Sequence, residues 1–460
     1  MKLRHLMLGA AAAFALSPAA ALAERGSDGQ LNIIYWQAPS TLNPYLSGGT
    51  KEVEAASLVL EPLAGFDNNG ELVPRLVDEI PTVENGGVSE DLTSITWVLS
   101  EGITWSDGSP VTANDAVFTW QYCTDPEGGC AQASYFDGVE SVEAVDDRTI
   151  RINFTAPKPF PYTALVGAES PLIQAAQFAD CLGAAAPECT EANFGPIGTG
   201  PFVVTEFRPN DVITYAANEN YRVPDQPAFA TVVFKGGGDA ASAARAVLET
   251  GEFDYAWNLQ IDPTILAEME ANGIGEVVTA FGTSVERLHL NQTNPDPALG
   301  DMRSTLEGGE HPFLTDPAVG QAMSMAIDRA LLVEIGYGAG GQATCNVLPA
   351  PELRLSVLYQ TSTNAVRQDT QALVKQWWEE IGIEVELRNI DASVFFGGDP
   401  SSPDTFQKFY ADIEMYTNNF AGVDPEAFAP SVSATRPMTP WSTRWPRPQP
   451  WKSAAAWRRR

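Results

Sequence analysis

Basic residues are scarce in this sequence. Its 460 residues include 27 lysines and arginines against 59 aspartates and glutamates, which gives a formal net charge of −32. A balance this negative repels phosphate backbones and anionic lipid headgroups, so it excludes the usual nucleic-acid-binding proteins. The hydrophobic fraction of 44% is nevertheless that of a globular protein, and the length allows roughly two to four domains.

The sequence also lacks the common motifs of catalytic and nucleotide-binding sites. It contains no GxSxG nucleophile elbow, no GxxxxGK[ST] phosphate loop and no HExxH helix. Residues 236–238 (GGG) follow a predicted strand, but the next residue is Asp239, whose charge is wrong for a phosphate site. Asp146 and Asp147 are interpreted as a solvated turn rather than a metal pair. These absences favour a binding protein over an enzyme, and a secreted hydrolase is the alternative from the other class.

Long apolar runs are absent after the N-terminus. Residues 6–16 are apolar, and they lie between the basic residues Lys2 and Arg4 and the small-residue pattern at 21–23 (ALA). A membrane-spanning helix needs about 20 apolar residues, so this run is too short to be an anchor. The pattern predicts a signal peptide over residues 1–23, cleaved before Glu24, and a soluble exported protein.

The five cysteines fit an exported protein. Cys123 and Cys130 flank one short loop, and Cys181 and Cys189 flank another, so we predict two local disulfides. Zinc is the alternative, but His289 and His311 are remote in sequence from every cysteine pair and CxxC spacing is absent. We therefore expect no metal and no cofactor. Cys345 is left without an evident partner.

Helix and strand patterns alternate along the chain without an internal repeat, which predicts an α/β fold. Thr112 and Asp115 have the spacing of a helix-capping box, and apolar residues recur at helical spacing over residues 364–381. Strand patterns occupy residues 31–36, 95–99, 149–154, 212–216, 231–234, 253–257, 287–291 and 383–388.

Several segments, in order, resemble the extracytoplasmic solute-binding proteins of the peptide/nickel type, which are the dipeptide- and oligopeptide-binding components of ABC importers. The resemblance runs from about residue 31 to residue 428. Its most specific part is the segment 97–112 (WVLSEGITWSDGSPVT) with 114–117 (NDAV). The other matching segments are 36–45 (WQAPSTLNPY), 58–63 (LVLEPL), 198–202 (GTGPF), 218–221 (NENY) and 318–329 (AVGQAMSMAIDR).

The resemblance implies a two-lobed periplasmic-binding-protein fold with an inserted subdomain in the first lobe. The first lobe is expected at residues 24–64 plus 196–282, the insertion at 65–195 and the second lobe, incomplete at its C-terminal part, at 283–430. The implied function is capture of peptides in the cleft between the lobes of a periplasmic, monomeric protein, followed by delivery to the ABC permease subunits of the inner membrane. Other solutes, such as a nickel complex, an oligosaccharide or an opine, are the alternative ligands.

Ligand-binding residues are expected where strands end at the cleft. The candidates are Tyr35, Trp36, Trp257 and Asn258 in the first lobe and Tyr416, Thr417, Asn418 and Asn419 in the second. Dipeptide-binding relatives hold the ligand carboxylate with an arginine where this chain has Thr361. Peptide binders often hold the α-amino group with an aspartate where it has Ala421. The missing anchors disfavour a strict dipeptide ligand and predict an aromatic cleft without charges at these positions.

Two features predict that the family pattern is incomplete. Relatives carry roughly thirty more residues near residue 352, in a segment that usually includes a cysteine. Residues 431–460 contain four tryptophans, five prolines, seven basic residues and no acid, unlike the acidic chain before them. We expect this tail to be disordered and to arise from a shifted reading frame.

Overall fold

The computed structural model describes residues 24–271, 273–279, 285–336, 355–397 and 402–418. None of the helices in these ranges is both long and apolar enough to cross a membrane. The strands, numbered along the chain, are β1 (Gln30–Tyr35), β2 (Ala64–Phe66), β3 (Leu72–Pro74), β4 (Ser94–Val98), β5 (Val139–Ala144), β6 (Thr149–Phe154), β7 (Phe202–Arg208), β8 (Val212–Ala217), β9 (Thr231–Gly236), β10 (Tyr255–Trp257), β11 (Val285–Leu290), β12 (Leu355–Ser362), β13 (Ile383–Ile390) and β14 (Ile413–Asn418). The α-helices are α1 (Thr50–Ala56), α2 (Ala113–Thr124), α3 (Ala175–Phe178), α4 (Thr190–Phe194), α5 (Ala240–Leu248), α6 (Pro263–Glu270), α7 (Pro317–Ala326), α8 (Arg329–Gly336), α9 (Ala365–Glu380) and α10 (Ala392–Phe395). Short 3-10 helices cover Pro44–Leu46, Ala133–Phe136, Gly183–Glu188 and Pro297–Met302.

The first sheet contains β10, β1, β9, β8 and β7 in that order. β1 runs parallel to both of its neighbours, whereas β7, β8 and β9 pair antiparallel. The register places Tyr35 opposite Gly236 on one side and Trp257 on the other. The carboxyl ends of β1, β9 and β10 therefore meet at one edge of the sheet.

Residues 64–154, which lie between β1 and β7 in the chain, form two smaller sheets. β2 and β3 pair antiparallel, and β4, β6 and β5 form an antiparallel sheet in that order. The helix predicted from Thr112 is α2, and Thr112 and Asp115 make both hydrogen bonds of the capping box. Trp97 and Trp105 are fully buried in the core of this region.

Both predicted disulfides are present, one at the end of α2 and one between α3 and α4. Cys123 and Cys130 are bonded with their Cα atoms 5.1 Å apart, and Cys181 and Cys189 are bonded with their Cα atoms 5.8 Å apart. Cys345 lies outside the described residues. The prediction of two local pairs is confirmed.

Replacing Cys123 and Cys130 together by serine should lower the free energy of unfolding of this region by about 2.5 kcal/mol. The bond closes a short loop, and the chain-entropy model gives this magnitude for a loop of about eight residues. Urea unfolding of the double variant, compared with the wild-type protein, measures the loss. Under reducing conditions, which also open the Cys181–Cys189 bond in both proteins, wild type and variant should unfold alike. Equal stability of the two proteins with disulfides intact would contradict the prediction.

The second sheet contains β11, β14, β12 and β13 in that order. β12, β13 and β14 are parallel, and β11 runs antiparallel to β14. One face carries Val357, Tyr359 and Met415, which form a core with Trp378 of α9. The predicted helix over 364–381 is confirmed as α9, and the Asn364 side chain caps it by accepting a hydrogen bond from the Arg367 backbone N–H.

The glycines in residues 198–200 allow a close approach of two backbones. The Gly200 N–H donates to the Val59 carbonyl at 2.8 Å. A β-carbon at Gly198 would lie 1.9 Å from the same oxygen, which no side chain tolerates. This segment therefore has a structural role. Gly237 and Gly238 precede Asp239, whose side chain caps α5.

Candidate functional site

The four residues predicted in the first lobe come together at the carboxyl edge of the first sheet. The rings of Tyr35 and Trp257 stack with their centroids 4.8 Å apart and their planes 10° from parallel. The Trp36 indole N–H donates to the Asn258 carbonyl at 2.9 Å. Trp36 and Asn258 are the residues that directly follow β1 and β10. Tyr35 is only 4% exposed, whereas Trp36 and Trp257 keep part of their surface open.

A carboxylate that the sequence reasoning missed lies beside this aromatic pair. The Tyr35 hydroxyl donates to Glu54 of α1, and the Trp257 indole N–H donates to the same carboxylate. Burial raises the pKa of Glu54 above its ordinary value, these two hydrogen bonds oppose the rise, and the charge of Glu169 adds to it. Burial, followed by the Glu54 charge, also raises the pKa of Tyr35 far above its ordinary value. The sequence signal was limited to an acid between two apolar residues, Val53 and Ala55, and the burial of the helix around Glu54 is seen only in the structure.

Of the residues predicted in the second lobe, Tyr416, Thr417 and Asn418 lie within β14 itself rather than after it. Tyr416 is buried, and its ring stacks on His289 with centroids 4.2 Å apart. The Thr417 hydroxyl donates to Glu286 and accepts a hydrogen bond from Arg367 at 3.0 Å. Asn418 pairs with Val285 through the β11–β14 register, and Asn419 lies outside the described residues.

Neither position expected to hold an anchor in dipeptide binders supplies one. Thr361 is fully buried, and its hydroxyl donates to the Met415 carbonyl at 2.7 Å inside the second sheet. Ala421 lies outside the described residues. On the opposite face of the sheet, burial raises the pKa of Glu414 to about 7 despite hydrogen bonds from the Gln407 and Phe409 backbone N–H groups. Glu414 therefore fixes the loop before β14.

Direct contacts connect the elements around the two edges. Asn364, two residues after β12, donates a hydrogen bond to Gln260, which lies just after β10. The Ser47 hydroxyl, just before α1, donates to the Phe396 carbonyl after α10 at 2.6 Å. Because the linked residues follow the carboxyl ends of parallel strands, the carboxyl edges of both sheets face each other. Ligands of α/β proteins bind at such edges.

Chemically, this arrangement offers groups that can hold a ligand. The first edge offers aromatic faces, a carboxylate and backbone groups. Within the described parts of the chain, no group of three or more histidine, cysteine or acidic residues could hold a metal ion.

The family model described as "Bacterial extracellular solute-binding proteins, family 5 Middle" matches residues 71–353. This match covers more than half of the chain. The chain belongs to family 5 of the bacterial extracellular solute-binding proteins. Members of this family act outside the cytoplasm, and the family resemblance predicted from the sequence is confirmed.

Curated relatives of this family 5 protein are distant. Protein XP55 of Streptomyces lividans is 26% identical over 315 residues, which are 68% of this chain and 51% of that protein. The glutathione-binding protein GsiB of Shigella boydii is 23% identical over 310 residues, covering 67% of this chain and 54% of that protein. Heme-binding protein A of Haemophilus influenzae is 26% identical over 324 residues, covering 64% of this chain and 54% of that protein. The chain thus spans about half the length of the curated relatives it matches.

Solved structures confirm the predicted two-lobed α/β fold. The murein tripeptide-binding protein MppA of Escherichia coli has a TM-score of 0.68 at 20% identity, covering 87% of this chain and 81% of that one. OppA of Listeria monocytogenes, bound to peptide, has a TM-score of 0.66 at 17% identity, covering 87% and 82%. At these identities the likeness establishes the fold alone. We refer below to the part built on the first sheet as the first lobe and the part built on the second sheet as the second lobe. The exact lobe boundaries, the signal peptide and the shifted-frame tail stay predictions.

Proposed function

We propose that this protein is the periplasmic substrate-binding component of an ABC importer and that it captures peptides between its lobes. The match to family 5 over residues 71–353 is the observation that carries the proposal. The facing carboxyl edges of the two sheets support it, because a ligand held there contacts both lobes and stabilises their closure. The proposed partners are the peptide and the permease subunits of the membrane, with the binding protein itself a monomer.

In this proposal the first lobe supplies most of the ligand contacts through side chains. Trp36 and Trp257 are partly exposed aromatic residues, and the buried ring of Tyr35 stacks on Trp257. The second lobe contributes through β14. Because the Thr417 hydroxyl is already bonded to Glu286 and Arg367, Thr417 meets a ligand through its backbone. Asn418 continues that strand, and an extended peptide pairs with such a strand while tolerating varied side chains.

The proposal is tested by thermal unfolding of the protein in the presence of pools of short peptides, followed by mass analysis of each pool. A binder shows a saturable rise in stability, which reaches about 2.7 kcal/mol at a ligand concentration 100 times Kd, and leaves the peptides intact. Cleaved peptides would support the secreted hydrolase instead. Glutathione, heme, a nickel complex, an oligosaccharide and an opine are screened in parallel. Stabilisation by one of these and by no peptide would assign the protein to that solute.

Trp257→Ala should weaken the binding of a peptide found to stabilise the wild-type protein by about 30-fold, which corresponds to about 2 kcal/mol. The partly open indole lies at the ligand edge, and its loss removes both an aromatic face and a donor to Glu54. Isothermal titration calorimetry measures the change. Trp120→Ala is the matched control, because Trp120 is also partly buried but lies on α2 outside the first sheet. Equal affinity of wild type and Trp257→Ala would show that Trp257 is a packing residue.

A further inference from the structure

In the part of the chain that the structure describes, Glu54, which lies beside the aromatic pair, and Glu169, whose charge acts on Glu54, both lack a balancing positive charge. Glu54 and Glu169 are each partly buried, and the charge of Glu169 contributes to the raised pKa of Glu54. Burial also raises the pKa of Glu169. None of the ion pairs formed among the described residues includes either carboxylate. Partly buried carboxylates are normally paired with a cation, so this place in the fold is short of positive charge.

The groups around Glu54 orient its carboxylate without neutralising it. The Tyr35 hydroxyl and the Trp257 indole are neutral donors, and hydrogen bonds to a carboxylate favour its charged form. Tyr255 stands near Glu54 with 50% of its surface exposed, so the region is open to solvent. Aromatic faces attract cations through their quadrupoles, and Trp is the best of them. An oriented carboxylate beside partly open aromatic rings is the combination that recognises an organic cation.

We infer that Glu54 is a specificity-determining residue of the proposed ligand site and that it selects solutes carrying a positively charged group, a primary ammonium or a guanidinium, placed against the first lobe. Glu169 supplies the second negative charge of the same region. This inference rests on the proposed function, because it concerns the ligand captured at that edge. It also replaces the expectation of an uncharged cleft, which considered only the positions of Thr361 and Ala421.

The position of α1 places Glu54 where it can act on a ligand held between the lobes. The segment just before α1 contacts the second lobe through Ser47 and Phe396, so the helix lies where the lobes meet. Lys51 on the same helix does not compensate Glu54, because its ammonium binds Glu52. The pKa of Asp391 in the second lobe is lowered mainly by hydrogen bonds from Ser393 and further by the charge of Lys51. A ligand cation is therefore the group that can balance Glu54 when the lobes close.

The test uses the full chain and an equimolar mixture of peptides of three to five residues. One position is lysine, norleucine or glutamate, and each peptide is present with a free and with an acetylated N-terminus. Peptides retained after ultrafiltration are identified by mass spectrometry. The wild-type protein should retain at least one kind of cationic peptide tenfold or more above its neutral counterpart, which is norleucine in place of lysine or an acetylated in place of a free N-terminus. Preference for lysine that survives acetylation assigns the cation to a side chain, whereas loss of retention on acetylation assigns it to the α-amino group, and both support the inference.

Glu54→Gln should retain the peptides that lack the recognised cation as wild type does but lose most of the preference for the cationic ones. Glu169→Gln leaves the contacts of Glu54 with Tyr35 and Trp257 intact and should show a smaller loss of the cation preference. It keeps the inference testable if Glu54→Gln fails to fold. Glu268→Gln on the exposed face of α6 changes the net charge equally and should keep the full preference. An unchanged preference in Glu54→Gln, or retention by wild type without regard to charge, would overturn the inference. Retention of no peptide by wild type would overturn the proposed function instead.

Discussion

Trp378→Ala should lower the free energy of unfolding of the second lobe by about 3–5 kcal/mol, the cost typical of truncating a fully buried tryptophan. Trp378 is 1% exposed and packs against the core face of the second sheet, with its ring centroid 5.7 Å from that of Tyr359. Its indole N–H donates to the Met323 carbonyl at 2.9 Å, so the indole also joins α9 to α7. The substitution leaves a cavity and an unpaired buried carbonyl together.

The neighbouring tryptophan provides a matched control for this prediction. Trp377 lies at the margin of the same core and is only partly buried, so Trp377→Ala should cost at most about 1.5 kcal/mol. Urea unfolding followed by near-ultraviolet circular dichroism separates the two variants. The region containing the disulfides should unfold as in wild type in both. Similar losses of unfolding free energy in the two variants would show that Trp378 is not the main contact of α9 with the second sheet.

Local signals in the sequence predicted the secondary structure that surrounds these residues. The capping pattern at Thr112 and the apolar period through Val374 and Trp378 are formed by residues close in the chain, and α2 and α9 follow them. Short spacing likewise made the two disulfides predictable. The pairing of β1 with both β9 and β10 joins residues about 200 positions apart. No local pattern encodes that pairing, and only the family resemblance implied it.

The residues of the candidate site that lie at strand ends could be predicted from the sequence. The residue that a helix contributes, Glu54, could not. Tyr35, Trp36, Trp257 and Asn258 follow from the rule that ligands lie at the carboxyl ends of parallel strands. Glu54 reaches the same edge from α1, and its orientation depends on Tyr35 and Trp257, which are distant in sequence. Tyr416, Thr417 and Asn418 were named from the sequence as one segment, and they lie together on β14. Their side chains are partly occupied by Glu286, Arg367 and His289, which a sequence pattern does not reveal.

A charged cluster where β11, β14 and α9 meet gives the second prediction of large effect. Arg367 of α9 donates to both oxygens of Glu286 on β11, at 3.0 and 3.1 Å. The same guanidinium donates to the Ser362 hydroxyl at 3.1 Å and the Thr417 hydroxyl at 3.0 Å, and it lies over the Phe396 ring. The side chains of Arg367 and Glu286 are only 8% and 20% exposed. One guanidinium thus connects α9 to three strands, β11, β12 and β14, at the edge of the second lobe that faces the first.

Arg367→Met should therefore lower the free energy of unfolding of the second lobe by about 3 kcal/mol, because it leaves Glu286 partly buried without its counter-charge. Peptide affinity should fall as well, since β14 loses its tie to α9 at Thr417. Arg388→Met is the matched control: Arg388 pairs with Asp404, but the two side chains are 41% and 32% exposed, so its loss should cost under about 1 kcal/mol. The double variant Arg367→Met with Glu286→Leu removes both charges and should recover at least half of the lost stability, because replacing a whole buried pair by apolar groups is often nearly neutral. Urea unfolding of the four proteins measures these differences. If the double variant were no more stable than Arg367→Met, the loss would come from the hydroxyl and aromatic contacts of Arg367 rather than from the stranded charge of Glu286.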